Sequence, residues 1–156
     1  RMQPSARIMD KAEEGLAYLV VNAGECASRS RILFTQRDVR QVQLAKGAIL
    51  AGTQILMQVA NVRPEDIKAI YLAGAFGNYI DPSSALRIGL FPPVDIERII
   101  PVGNAAGEGA KRLLMSKRSR KLVEQLRMKM NYCELATYDG FADIFAQATT
   151  LGSARD

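Results

Sequence analysis

Apolar runs alternate with helix-type polar segments along most of the chain. A continuous apolar run predicts a buried strand at Gly15–Val21, and a second short strand is predicted at Arg31–Phe34. We expect the two to pair antiparallel. Thr35 with Asp38 three residues later is typical of a helix start, and apolar positions then recur every three or four residues to about Ala60. The expected core face of this helix carries residues 42, 45, 49, 52, 56 and 59.

Two further segments have the order strand, glycine turn, helix. The first has a strand at Ile67–Ala73, a turn at Gly74–Asn78, and a helix capped by Asp81 that stops at Gly89. The second has a strand at Ile99–Val102, followed by a turn that begins at Gly103.

The rest of the chain completes an α/β pattern. Helices are predicted at Lys111–Ser116, Arg118–Met130 and Asp139–Thr149, with an edge strand at Cys133–Ala136. Alternation of strands and helices predicts an α/β fold with a mixed or parallel sheet flanked by helices. We expect a polar lead-in at 1–14, a single α/β domain at 15–150 and a disordered tail at 151–156.

Composition narrows the classes of function. The 156 residues are 48% hydrophobic and 24% charged, as in one folded domain. There is no histidine, which removes the usual general base and the commonest transition-metal ligand, and no metal site is predicted. Cys26 and Cys133 are far apart, so we expect two free thiols in a reducing, cytoplasmic compartment.

The apolar and basic stretches point away from membranes and nucleic acid. The longest apolar runs are far shorter than the ~20 residues of a membrane-spanning helix. The net charge is +5, and the basic run Lys117–Lys121 has no aromatic residues beside it to stack on bases. A solvated helix face is the preferred interpretation of that run.

The two glycine turns are the candidate ligand site. Ligands of open α/β sheets bind beyond the carboxyl ends of strands, where glycines let the backbone approach a nucleotide closely. Asn78 and Asn104 have side chains able to bond ribose, phosphate or adenine. The alternative is that Gly74, Gly77 and Gly103 serve only backbone geometry. No dinucleotide fingerprint or P-loop is present.

Lys46 is a further candidate. We expect it to face outward or toward a cleft, because Ala45 and Ile49 are assigned to the core face. The alternative is a plain surface lysine.

Four motifs in order carry a resemblance. They are Thr35–Arg40 with Gln43–Ile49, Tyr71–Pro82, Ala85–Leu90, and Val102–Gly107. Together they resemble the C-terminal domain of the reductive activators of corrinoid-dependent proteins. The resemblance covers about Gly15 to Phe145.

The resemblance implies one lobe of an ATPase related to acetate and sugar kinases, the heat-shock chaperone ATPase and actin, with a ribonuclease H-like fold. It implies binding of ATP with magnesium, with Gly74, Ala75, Phe76, Gly77 and Asn78 forming an adenosine loop. It also implies that Gly103 and Asn104 open a connecting helix and that Lys46 flanks the nucleotide cleft.

The same resemblance implies reduction of cob(II)alamin to cob(I)alamin on a corrinoid protein, with electrons from an iron–sulfur domain. This chain has neither a ferredoxin-like cysteine cluster nor an Asp-x-Gly-Thr phosphate loop. We therefore expect part of a longer protein, inactive alone, whose partners are a corrinoid protein or its methyltransferase and the missing lobe and ferredoxin-like domain. The alternatives are a nucleotide-free docking module and a lobe of another sugar-kinase-like or hydantoinase-like ATPase. A homodimer stays open.

Overall fold

Three antiparallel strands form the first part of the chain in the computed structural model, which describes residues 6–11, 15–25, 27 and 29–152. They are β1 (Ile8–Lys11), β2 (Gly15–Val21) and β3 (Ile32–Thr35), in the order β1-β2-β3. Tyr18 lies opposite Ile8 on one side and Phe34 on the other. The antiparallel pairing of β2 and β3 is confirmed, whereas β1 was not predicted and lies within the expected polar lead-in.

β2 has one packed face and one exposed face. Ala17 is buried, and Leu19 and Val21 are half-buried, whereas Leu16 and Val20 are exposed. This alternation is typical of an antiparallel strand with one solvated face. The expectation of a buried strand is wrong here, because only Ala17 of its seven residues is buried.

The long helix α1 spans Gln36–Val59, as its periodicity predicted. Thr35 Oγ1 accepts a hydrogen bond from the Asp38 N–H, and the Asp38 carboxylate accepts one from the Thr35 N–H at 2.8 Å. This reciprocal cap satisfies amides that the first helical turn leaves free. Asn61 ends the segment at φ 52°, the predicted left-handed conformation.

The chain divides within α1 into two compact units, residues 1–45 and 46–156. The second unit contains β4 (Ile70–Ala73) and β5 (Ile99–Gly103), which pair in parallel. Between them lie α2 (Ala75–Tyr79) and α3 (Pro82–Arg87), so that all of the predicted turn at Gly74–Asn78 except Gly74 is helical. Asp81 caps α3 as predicted, through a 2.8 Å bond from the Ser84 N–H. The buried core of this unit consists of Leu72, Ala85, Leu90, Phe91, Val94 and Ile99.

Three helices complete the second unit: α4 (Ala105–Met115), α5 (Lys117–Arg127) and α6 (Phe141–Ala148). α4 begins six residues before the predicted Lys111. Its N-cap is Asn104, whose side chain accepts a hydrogen bond from the Gly107 N–H at 3.0 Å. The glycine-rich segment after β5 is therefore largely helical.

The predicted edge strand at Cys133–Ala136 is wrong, because these residues form irregular structure. The Glu134 carboxylate accepts bonds from the Tyr132 hydroxyl and the Ala136 N–H, and the Tyr138 N–H bonds the Leu135 carbonyl. Local bonds of this kind compete with strand pairing. The predicted disordered tail falls mostly outside the described residues.

Candidate functional site

The two glycine turns meet at the carboxyl ends of the parallel strands. Ala73, the last residue of β4, is paired with Gly103, the last residue of β5. The Gly74 N–H then donates to the Gly103 carbonyl at 2.6 Å. Since neighbouring parallel strands end at the same sheet edge, the fold places both turns at the position where α/β proteins bind ligands.

Gly74 leaves backbone open at this edge. Its φ of 68° and ψ of −144° form a conformation that is essentially restricted to glycine. A Cβ built on Gly74 meets no heavy atom within 4 Å, and the residue is exposed. A ligand can therefore approach the Gly74 backbone without displacing a side chain.

Gly77 has a packing role. A Cβ at this position would lie 2.1 Å from the Leu72 carbonyl oxygen and 2.9 Å from the Gly103 nitrogen. Only glycine lets α2 lie this close to the ends of both strands. The contact that Gly77 permits is with the protein's own backbone, and its assignment to a ligand stays a prediction.

The remaining loop residues surround the same edge. Gly103 has φ 59°, and a Cβ there would lie 3.2 Å from Asn78 Oδ1. Asn104 is already engaged as the cap of α4. Ala75 and Phe76 are exposed on the first turn of α2. The fold thus brings together Gly74–Asn78 and Gly103–Asn104, seven of the eight predicted site residues.

Lys46 lies in a different environment, and the surface alternative is wrong. Its side chain is 2% exposed, whereas Ala45, which we assigned to the core face, is exposed. Lys46 Nζ donates to the Thr150 carbonyl at 2.5 Å and to the Gly89 carbonyl at 3.3 Å. Burial away from water lowers the pKa of this ammonium group.

The two carbonyls that Lys46 binds lie directly after the C-caps of two helices. Gly89 follows α3 with φ 73°, and Thr150 follows α6. Helix C-termini carry unpaired carbonyls and partial negative charge, which a buried ammonium group can neutralise. Lys46 therefore clamps the ends of α3 and α6 to α1, a role that sequence reasoning missed because neither partner is near it in the chain.

A cavity of about 680 Å³ adjoins this clamp. Lys46, Gln54, Arg87 and Gln147 provide its polar lining, and its other walls are mainly apolar. The lining contains no residue of Gly74–Asn78 or Gly103–Asn104. Lys46 therefore lies beside a cavity, one of the two orientations expected for it, but the glycine turns do not line this cavity, and a place for Lys46 beside a nucleotide stays a prediction.

The carboxylates near the turns are used locally. The Asp81 carboxylate accepts bonds from the Ser83 hydroxyl at 2.6 Å and the Ser84 N–H at 2.8 Å, which lower its pKa to about 2. Glu108 forms an ion pair with Lys111 at 2.8 Å. Across the described residues, no group of three or more Asp, Glu, Cys or His side chains is arranged to hold a metal ion.

The cysteines and the longest helices bear on two other expectations from the sequence. Cys133 is a half-buried free thiol, whereas Cys26 lies outside the described residues. None of the described helices combines the length and apolar character needed to cross a bilayer.

Comparison with known proteins identifies the family. Residues 1–155 match the family described as the C-terminal domain of RACo, the ASKHA domain. The solved structure of a reductive activator for corrinoid, iron–sulfur protein is similar with a TM-score of 0.83 and 32% identity, over 96% of this chain and 24% of that one. The predicted α/β fold class is confirmed by this likeness.

Curated relatives agree with the structural neighbour. The corrinoid activation enzyme RamQ of Eubacterium limosum is 38% identical over 135 residues, which are 86% of this chain and 23% of the relative. The Co(II) methylated amine-specific corrinoid protein reductase of Methanosarcina barkeri is 28% identical over 116 residues, 73% of this chain and 21% of the relative. The chain spans about a quarter of the length of the proteins it matches. The resemblance seen in the sequence is confirmed, and the chain belongs to the family of the RACo C-terminal ASKHA domain.

Proposed function

We propose that this chain is the ATP-binding C-terminal lobe of an iron–sulfur, ATP-dependent reductive activator that returns cob(II)alamin to cob(I)alamin on corrinoid methyl-transfer proteins. The observation that carries the proposal is the meeting of two glycine turns at one edge of parallel strands, with the Gly74 backbone open. The names of the relatives support corrinoid activation as the process served.

The residues at this edge fit part of a nucleotide site. The open backbone at Gly74 and the exposed start of α2 would receive the adenosine, and Asn78 would add a polar side chain beside Gly103. The amides at the start of α4, an eleven-residue helix, favour negative charge nearby. ATP would supply the free energy for an unfavourable electron transfer. The chain's own contribution is to bind and orient the nucleotide.

The residues of this chain fit magnesium and an iron–sulfur cluster less well than they fit a nucleotide. Magnesium would enter with the nucleotide, because the nearby Asp81 and Glu108 are engaged in a cap and an ion pair. An iron–sulfur cluster usually needs four cysteine thiolates, and the chain has two cysteines. The proposal therefore places the cluster in another part of the full-length protein.

The proposed partners follow from the incomplete nucleotide site. A lobe with half a nucleotide site needs a second lobe to close over ATP, so we expect the isolated chain to be inactive. The corrinoid protein or its methyltransferase is the proposed external partner, and the free thiol at Cys133 accords with a reducing cytoplasm.

A nucleotide-free docking module is the second candidate. Gly77 is closed by Leu72 and Gly103, and Asn104 is occupied in capping α4. The cavity beside Lys46 also lies apart from the turns. These features favour glycines that serve only backbone packing, as the docking module would have. The open backbone of Gly74 instead favours a bound ligand.

An amide NMR titration with magnesium-ATP distinguishes the two candidates. The Gly74→Ala variant adds a methyl group on the open side of the turn and strains a backbone conformation that favours glycine, so it perturbs the ligand's approach in both ways. Gly140→Ala is its control, since Gly140 also has a positive φ of 80° and open space around it. Saturable shifts at 74–78 and 103–104 that vanish only in Gly74→Ala support the ATP lobe. Equal binding by both variants contradicts it.

If the isolated lobe binds ATP too weakly to detect, the same titration is carried out on the full-length protein. Gly74→Ala is then expected to raise the Kd for ATP at least about tenfold, a loss of about 1.4 kcal/mol. If the full-length protein binds no ATP, the docking module replaces the ATP lobe as the function.

A further inference from the structure

A basic and apolar surface on α4 and α5 has no covering in the described part of the chain. We call it the docking face and define it by Leu114, Met115, Arg118, Lys121, Leu122 and Leu126. All six residues are exposed, including Leu114 at 82% and Met115 at 88%. Leu114 and Met115 lie two or three residues before the start of α5, and contiguous exposed apolar side chains mark interaction sites.

The helix that carries most of this face is held in place. Ser116 ends α4 and caps α5, accepting a hydrogen bond from the Ser119 N–H at 3.2 Å. Arg120 Nη1 donates to the Leu113 carbonyl at 2.6 Å and to the Leu114 carbonyl at 3.3 Å. Arg120 thus satisfies the last carbonyls of α4 and fixes the angle at which α5 leaves it. A fixed helix presents its side chains at a defined spacing.

Basic and apolar side chains share one side of α5. Arg118 lies three residues before Lys121 and four before Leu122, and Leu122 lies four before Leu126, so each of these pairs is neighbouring on the helix surface. Leu122 and Leu126 are 54% and 50% exposed. The face therefore consists of an apolar stripe bordered by two cations.

The charge of this region is strongly one-sided. Residues 111–130 contain eight Lys or Arg residues and one acid, Glu124. Lys111 pairs with Glu108 and Arg120 caps α4, but no ion pair of Arg118 or Lys121 occurs among the described residues. Unpaired cations around an apolar stripe complement an acidic surface that has an apolar centre.

We propose that the docking face binds an acidic surface of the corrinoid protein. This inference rests on the proposed function, which supplies that partner, and it adds where on the lobe the partner binds. Exposed methionine at the rim suits such a contact, because its flexible side chain adapts to a partner that must bind and leave. Electrostatic attraction between the two faces would raise the rate of encounter.

A membrane surface is the less suitable occupant. Interfacial helices insert a broad apolar face rich in Trp, Phe and Leu. The stripe on α5 is narrow, with Leu122, Val123 and Leu126 as its apolar members and no aromatic residue. A second copy of the chain would bring two basic faces together and is disfavoured by repulsion.

The test measures binding of the full-length protein to a purified corrinoid protein in the cob(II)alamin state. Arg118→Glu with Lys121→Glu reverses the charge of the docking face, and Leu122→Ser with Leu126→Ser removes its apolar stripe. Arg40→Glu with Lys68→Glu is the matched control, because both residues are exposed and the change in net charge is the same. We expect each docking-face variant to weaken binding at least about tenfold and the control to stay within about twofold.

The outcomes separate this inference from the function on which it rests. Unchanged binding by both docking-face variants overturns the docking face alone. Failure of the wild-type protein to bind the corrinoid protein instead removes the partner in the proposed function, and the docking proposal with it. Binding to vesicles with about one third phosphatidylserine that charge reversal abolishes, with corrinoid binding unaffected, assigns the face to membranes. Protection of the Leu122 and Leu126 side chains from hydroxyl-radical footprinting in the free full-length protein would show that the same polypeptide covers them, and would overturn the proposal.

Discussion

Replacement of Lys46 by Met tests whether the buried ammonium group holds α3 and α6 against α1. Met has a similar length and apolar stem, so the substitution removes the charge and both hydrogen bonds with little change in volume. The Gly89 and Thr150 carbonyls would lose their shared donor. If Lys46 were an ordinary surface lysine, the free energy of unfolding would change by less than about 0.5 kcal/mol.

The structure gives the expected magnitude. A hydrogen bond from a charged donor contributes about 1.5–3 kcal/mol, so the two bonds together represent about 3–6 kcal/mol. Part of this is offset, because the variant no longer keeps a charge away from water and because water in the adjoining cavity can bind the freed carbonyls. We expect the free energy of unfolding to fall by about 2–3 kcal/mol.

Urea denaturation followed by far-ultraviolet circular dichroism measures this loss. Lys68→Met is the control, because Lys68 is exposed and forms no side-chain hydrogen bond or ion pair with the residues that the structure describes. A lower midpoint with an unchanged slope shows lost stability without a change in the denatured state. If Lys46→Met and Lys68→Met unfold at the same urea concentration, the clamp contributes nothing and the reasoning is refuted.

The lowered pKa of Lys46 predicts how the stability of the protein changes with pH, which is a second test of the buried ammonium group. The folded protein releases this proton at a lower pH than the unfolded chain, whose lysine has its ordinary value of 10.5. In the window below 10.5 the unfolded state binds more protons, so stability rises with pH. The stability difference between wild type and Lys46→Met should therefore widen as pH approaches 10.5 from below. A difference that narrows would mean that the folded state favours the charged form.

Two other substitutions test the packing of α2 and the cap of α3. Gly77→Ala should cost about 3 kcal/mol or more in urea denaturation, because its methyl group would overlap the Leu72 carbonyl, whereas Gly109→Ala in the open helix α4 should stabilise by about 0.5–1 kcal/mol. Equal tolerance of both would refute the close packing of α2. Asp81 has a folded pKa of about 2 against an ordinary 3.8, so its contribution to stability is complete above pH 3.8 and is lost as pH falls toward 2. Asp81→Asn should show a smaller drop in melting temperature between pH 5 and pH 2 than the wild type, and an identical drop would contradict the cap.

Local signals in the sequence were sufficient for most element boundaries. Thr35 with Asp38, Asp81 before Pro82, and the left-handed Asn61 lie where predicted, because caps and turns depend on bonds within a few residues. The order of strand, glycine turn and helix was also recognisable, since it depends on residue types in succession. β1 was missed because its four residues include two charged ones and lack a clear alternating pattern.

The site was only partly predictable. Parallel pairing of β4 and β5 brings together two turns whose residues the sequence had already singled out. The open backbone of Gly74 and the closed position of Gly77 were not distinguishable, because both are glycines at a strand end. The difference arises from where α2 packs.

The sequence by itself determined α1 and α3 with their caps at Thr35 and Asp81, the positions of the two glycine turns and the family to which the chain belongs. Only the tertiary structure decided which side of α1 is buried and that Lys46 lies on it. α1 has apolar residues on several sides, so its packed face depends on distant partners: Thr149 lies against Gly47, and Leu135 lies against Gly52. A lysine among apolar residues is stable inside only where carbonyls accept its hydrogen bonds. Those of Gly89 and Thr150 come from segments 43 and 104 residues away, and no local pattern around Lys46 records them.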